Sequence, residues 1–296
     1  MKSNGLTATA MAGALIATGL IVLSAKDAPA ASISVAASDR VDITMAEYSY
    51  THSGTLKAGG TLRVRNAGKE IHMIGIGKLL PGKTIDDVKA ALANSTDRNA
   101  TAKVLKEVSL PGLFMPPGRT VEITAPTLDA GTYAFICFMP AETDGKPHFA
   151  HGMVTELTVS ADKAALPKAD AVYSVAVGKP ITGPATLKAG HHVLQIDAAP
   201  GTDQLEPALL PIANGMTLES TVRKVDSMFG AKGGLPKGAG AIVSKLLYFG
   251  AHDFKSDRRV YLGVDLKPGK YVLGAPDTDL EKKPAHYMEQ ITIKVT

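Results

Sequence analysis

Tryptophan is absent from this 296-residue chain, aromatic residues of all kinds amount to 5%, and cysteine occurs once, at Cys137. Each scarcity excludes something. With few aromatic planes and no indole, there is little with which to build a sugar-stacking surface. A lone cysteine closes no disulfide within the chain. Neither sign of charge is in large excess: the formal net charge is +4, or +3 once Lys2, Lys26 and Asp27 are set aside with the leader described below. The basic residues are scattered and not interleaved with aromatics, so no nucleic-acid-binding face is expected.

The N-terminal stretch "MKSNGLTATAMAGALIATGLIVLSAKDAPAAS" opens with Lys2, runs apolar from Ala8 to Leu23 and reaches Ala28-Pro29-Ala30. This order matches the basic, apolar and cleavage regions of a secretory signal peptide. Residues 1–30 are therefore expected to be removed, giving a secreted or periplasmic chain that begins near Ala31. The apolar run falls short of the ~20 residues a spanning helix needs. No membrane attachment is expected after cleavage. An uncleaved anchor is the alternative, because only one basic side chain precedes the apolar run. No cysteine stands near the cleavage site to carry a lipid. In an oxidising compartment a free thiol is a liability, which directs attention to what Cys137 is bound to.

The rest of the chain reads as β-rich. "TLRVRNA", "TVEITAP", "GTYAFICF" and "MVTELTV" are short, β-branched and bounded by turn formers. In the last of these, Met153, Leu157 and Val159 share one face and Glu156 and Thr158 the other, as in a strand with one face on a core. "TIDDVKAALAN" places Ile85, Val88 and Leu92 on one helical face, with Thr84 and Asp87 spaced as a capping box. A second helix is expected over Asn99 to Glu107.

The chain also repeats itself. "GTLKAGGTLRV" is echoed by "ATLKAGHHVLQI", and "LLPGKTIDDVKAAL" by "LLPIANGMTLESTVRKV", with a helical face of Leu218, Val222 and Val225. "TLDAGTYAFICFMPAETDGKPHFAHGMVTELTV" is echoed by "DLKPGKYVLGAPDTDLEKKPAHYMEQITIKV". Three echoes in one order imply two copies of one Greek-key β-sandwich, residues 40–160 and 172–296, joined by a linker at 161–171. The copies differ where chemistry would sit: the position of Cys137 falls on Gly274 or Ala275, and that of His72 near Asp203 or Gln204. His286 and Met288 remain as partial counterparts of His151 and Met153.

"CFMPAETDGKPHFAHGM" concentrates the thiol, two histidines and a methionine, and "RNAGKEIHMIGI" places His72 just past an Asn- and Gly-containing turn. Here the sequence resembles the cupredoxins, the blue type 1 copper proteins that include plastocyanin and azurin. "HFAHGM" is similar to the plastocyanin-type His-x-x-x-Gly-Met element, and "YAFICF" to the strand leading into the copper cysteine. The resemblance implies copper held by His72, Cys137, His148 and Met153, the methionine being the axial ligand. A trigonal His, His, Cys set with a long axial Met suits neither the tetragonal preference of Cu(II) nor tetrahedral Cu(I), so little moves when an electron passes. The stretch "MPAETDGKP" makes the loop longer than the family's. Pro140, Pro147 and the turn at Asp144-Gly145 allow it to leave and return as a hairpin. His151 is the competing ligand.

His52, His191, His192 and His252 lack sulfur neighbours and read as surface or structural. The expected function is an electron carrier with copper in the first copy, an unidentified redox partner and no enzymatic activity. The alternative is a binding or structural module in which metal is absent or incidental. A copper oxidase or nitrite reductase needs further histidines beside the cysteine or in His-x-His pairs. Here Ile136 and Phe138 flank Cys137, and no His-x-His occurs.

Overall fold

The computed structural model describes residues 37–93, 101–107, 112–200, 207–212, 215–229, 235–252, 259–275 and 289–296. The leader, His286, Met288 and the residues opposite His72 in the second half lie outside these.

The first half supplies β1 (Ser38–Ala46), β2 (Ser49–His52), β3 (Leu56–Asn66), β4 (His72–Leu79), α1 (Ile85–Ala93), β5 (Leu105–Glu107), β6 (Gly112–Met115), β7 (Thr120–Thr124), β8 (Gly131–Ile136) and β9 (Val154–Lys163). The second supplies β10 (Ala171–Val175), β11 (Thr186–Leu187), β12 (Gly190–Ala198), β13 (Ala208–Pro211), α2 (Leu218–Phe229), α3 (Ala239–Leu246), β14 (Phe249–His252), β15 (Arg259–Leu266), β16 (Gly269–Gly274) and β17 (Gln290–Val295). The fold is all-β with short helical insertions.

Alternation decides which side of each strand is buried. In β9, Leu157 and Val159 are buried while Glu156 and Thr158 are exposed, and Met153 just before the strand is buried with them. β8 is buried on both faces. Tyr133 and Phe135 join the main core, while Ala134 and Ile136 pack with Val88 and Leu92 of α1. Burying such aliphatic side chains stabilises the fold by about 1.5–3 kcal/mol each. α1 begins with the expected box: Thr84 N donates to Asp87 Oδ2 at 2.9 Å and Asp87 N to Thr84 Oγ1 at 3.3 Å.

Hydrogen bonding builds two layers. One runs β2-β1-β3-β7-β15-β12-β10. The other runs β9-β8-β4-β6-β14-β13-β16-β17-β11. β5 pairs with the far end of β4, and a short parallel contact between β3 and β9 stitches the layers together. A single apolar cluster, from Val41 to Val295, draws on both layers and both halves.

The two halves pair their strands alike. β1 runs parallel to β3 as β10 does to β12; β3 meets β7 as β12 meets β15; β8 and β9 form a hairpin, as do β16 and β17. The register places Ala275 where Cys137 stands. Cys137 N donates to Met153 O at 3.2 Å, and Ala275 N to Glu289 O at 2.8 Å. Where the halves join, β7 pairs with β15 and β6 with β14. Gly263 permits the first approach, since a Cβ there would lie 2.8 Å from Glu122 Cβ.

Three local expectations need adjustment. The segment Asn99 to Glu107 is not a helix over its described part: Thr101–Lys103 is a single 3-10 turn and Leu105–Glu107 is strand β5, tied to β4. Cross-strand pairing outweighs weak local helix propensity there. α3 was not anticipated, because it begins inside the glycine-rich "GGLPKGAGA" and starts from a left-handed Gly238 with φ of 79°. The stretch read as a linker is strand until Lys163 and strand again from Ala171, with Ala164 N and Asp170 N bonded to Ala58 O and Val193 O. α2 is capped by the residue before it: Thr217 N donates to Ser220 Oγ at 2.9 Å and Ser220 N to Thr217 Oγ1 at 3.1 Å. Its Leu218, Val222 and Val225 side chains lie outside the described residues.

Candidate metal centre

The first donor is delivered by a turn. Asn66, fully buried at the end of β3, donates from Nδ2 to the carbonyls of Glu70 and Met115, both at 2.9 Å. Its Oδ1 accepts Gly68 N at 2.9 Å. The loop so pinned returns the chain into β4 with His72 at its first position. Gly68 passes close over the ring, and a Cβ there would stand 2.8 Å from His72 Nε2.

The other donors come from the end of β8 and the loop after it. The insertion leaves and returns as a hairpin: Pro140 and Pro147 form an antiparallel bridge, and Ala141 N donates to Lys146 O at 2.8 Å. Gly145, at φ 71°, makes the reversal. His148 N then bonds Met139 O at 2.8 Å and Phe149 N bonds Cys137 O at 2.9 Å. The inserted residues therefore bring His148 back beside the thiol. A 3-10 turn, His148–His151, ends at left-handed Gly152, and Met153 N donates to His148 O at 3.1 Å.

His72, Cys137 and His148 form one group, their donor atoms all within 4.8 Å of one another and all three side chains buried. His72 Nδ1 and His148 Nδ1 are 3.0 Å apart, and Cys137 Sγ is 3.4 Å from His148 Nδ1. The backbone N–H of Met73 points at the same sulfur at 3.4 Å. Met153 is fully buried and bonded through its backbone to both Cys137 and His148. His151 goes elsewhere: its Nε2 lies 3.1 Å from Asp144 Oδ1 and its ring stacks on Tyr48 at 4.6 Å. His52, His191 and His192 bond the Glu156 carbonyl, Asp265 and the Lys188 carbonyl. The His252 side chain lies outside the described residues.

Burial dominates the electrostatics. It pushes the Cys137 thiol up to about 11 and, with the neighbouring His148, the His72 imidazole down to about 4. His148 is also lowered by burial, against the opposing pull of Glu70. Two imidazole nitrogens 3.0 Å apart cannot both present bare lone pairs to each other; a proton or a cation must stand between them. His72 Nε2 meanwhile has no hydrogen-bond partner among the described residues. Two imidazoles and one thiol are a donor set that fits copper.

These values predict how metal affinity depends on pH. A metal takes the thiolate, so binding expels the Cys137 proton, whereas the depressed histidines are already neutral at pH 7. Apparent Cu(I) affinity is therefore expected to rise about tenfold per pH unit from near 7 towards the thiol value of about 11. Competition with a chelator of known pH behaviour measures this, and a flat profile would refute it.

Glu70, Tyr48 and Asn66 were not singled out from the sequence as site residues. Asn66 lay in view within the turn before His72. Glu70 carried no signal, since an isolated Glu beside a Lys reads as a solvated position.

No family model matches the chain, and no curated protein does. Among solved structures it is similar to a dithionite-reduced auracyanin from Roseiflexus castenholzii, at 24% identity over 42% of this chain and 99% of that one, with a TM-score of 0.29. Auracyanin A from Chloroflexus aurantiacus, a blue copper protein, matches at 21% identity over 41% and 99%, with a TM-score of 0.25. A multicopper oxidase matches at 15% identity over 87% of this chain and 88% of its own, again with a TM-score of 0.25.

Proposed function

We propose that the chain is an exported mononuclear type 1 copper protein that carries single electrons, with copper held by His72, Cys137 and His148 and with Met153 as the axial ligand. The observation that carries this reading is the convergence of two imidazole nitrogens and one thiol in a buried corner, within 4.8 Å of one another. Copper would supply the redox couple. The protein supplies a pocket whose donors come from fixed strand ends and a doubly bonded hairpin, so the same geometry serves both oxidation states. The backbone N–H aimed at Cys137 Sγ would stabilise negative charge on the sulfur.

Carriage rather than catalysis is favoured by the neighbours of Cys137. Ile136 and Phe138 offer no imidazole through which a second copper could be reached. The second half is proposed to be a metal-free copy of the first, since Ala275 at the Cys137 position has no donor side chain. Export rests on the leader-like stretch, residues 1–30. No helix among the described residues is long and apolar enough to cross a membrane.

The test is the visible spectrum of the copper-loaded mature protein. An intense thiolate-to-Cu(II) band, bleached by ascorbate and restored by a mild oxidant, is the expected result. Met153→Leu should keep the band and raise the reduction potential, because the axial ligand tunes a site that the thiolate creates. Wild-type protein that binds copper without a thiolate band would favour a module that meets metal only incidentally.

A further inference from the structure

A buried carboxylate stands behind the centre, where the donor set itself does not call for one. Glu70 is 7% exposed and lies two residues before His72, in the turn held by Asn66. Its Oε2 accepts from His148 Nε2 and from the backbone N of Glu142, both at 3.0 Å, while Oε1 accepts the Tyr48 hydroxyl at 3.2 Å. A carboxylate only accepts, so the contact with His148 places a proton on Nε2. The lone pair is then left on Nδ1, the atom that faces Cys137 Sγ at 3.4 Å and His72 Nδ1 at 3.0 Å. Because the His148 side chain is fully buried, no bulk water competes for that outer nitrogen.

The arrangement is anchored from the second half. The Glu142 carboxylate accepts the N–H groups of Gly238 at 2.6 Å and Gly240 at 3.3 Å, at the start of α3. Gly240 packs so closely on the turn that a Cβ there would run into the carbonyl oxygen of Lys69. One helix of the second half thus fixes Glu142, Glu142 helps to fix Glu70, and Glu70 fixes a ring of the centre.

We propose that Glu70 is a positioning residue for this centre: it holds His148 with Nδ1 turned to Cys137, and its negative charge favours the more oxidised metal. The proposal rests on the copper reading above. A carboxylate on the outer N–H sets the tautomer and orientation of a metal-binding imidazole and makes its inner nitrogen more basic. A fixed anion in a poorly solvated corner also stabilises Cu(II), which carries one more positive charge than Cu(I).

Glu70→Gln separates geometry from charge. The Gln carbonyl oxygen can accept from His148 and Glu142 as Oε2 does, and its NH₂ can donate to Tyr48, whose hydroxyl reverses its role. Glu70→Ala removes both effects. In metal-free protein, ¹⁵N-histidine NMR should find His148 protonated at Nε2 in wild type and Glu70→Gln, and in mixed tautomers in Glu70→Ala. In copper-loaded protein, Glu70→Gln should keep the thiolate band. At a fixed applied potential it should show at least a tenfold larger Cu(I) to Cu(II) ratio, about 59 mV for a one-electron couple. Wild-type His148 protonated at Nδ1 would overturn the positioning role, and a Glu70→Gln ratio within twofold of wild type would overturn the charge role. Loss of the thiolate band in wild type would instead sink the copper reading, with the NMR arm still deciding what Glu70 does.

Discussion

Cys137→Ser is expected to abolish the visible band of the copper-loaded protein while leaving the fold in place. The band requires electron density to move from a bound sulfur to Cu(II), and a hydroxyl forms no comparably covalent bond. Copper affinity should fall as well, by a factor on the order of 100 or more, roughly 3 kcal/mol. The fold should tolerate the change because the backbone around residue 137 is held independently of its side chain: residue 137 N bonds Met153 O at 3.2 Å and residue 137 O accepts Phe149 N at 2.9 Å. The serine oxygen also inherits the N–H of Met73 as a partner. The measurements are absorption spectroscopy, copper competition and urea unfolding of the metal-free protein. A variant that kept an intense band would show that Cys137 is not its source.

Asn66→Ala should have the largest effect on stability of any change near the site. The Asn66 side chain makes three hydrogen bonds, and each partner is a main-chain group that alanine cannot satisfy. Leaving a buried polar group unpaired costs about 1–3 kcal/mol, so a total loss of about 3–5 kcal/mol is expected for the metal-free protein. The turn that carries Glu70 and His72 would lose its pin at the same time, so copper affinity should drop along with stability. A loss below about 1 kcal/mol in urea unfolding would mean that the turn is held by something other than Asn66.

The cluster of His72, Cys137 and His148 was legible in the sequence because these residue types are rare here. With one cysteine and eight histidines in the chain, their order relative to an Asn-Gly turn and a Gly-Met pair carries information. The long excursion between Cys137 and His148 left His148 and His151 as rivals. What separates them is the backbone: Pro140 and Pro147 close the hairpin, and His148 N reaches Met139 O, so the ring of His148 is the one turned inward. Those bonds form between residues whose spacing alone does not fix which one faces the sulfur. Strand periodicity in "MVTELTV" and the capping box at Thr84 are local properties and survived into the structure. Glu70 could not be read, because its role comes from His148 and Glu142, far along the chain. The seam between the halves was equally hidden: β6 and β14, or β7 and β15, lie more than a hundred residues apart, and no short-range pattern announces which strands will pair.

That seam has a consequence for how the chain avoids its own kind. A sandwich ending at β6 and β7 would present two rows of unsatisfied backbone donors and acceptors to solvent, a template on which another copy could add strands. In this chain β14 and β15 occupy both rows, each over three residue pairs. The second half therefore acts as a covalently attached cover for sticky margins. A chain trimmed to its first half would keep every donor of the centre and yet lose its protection against self-association.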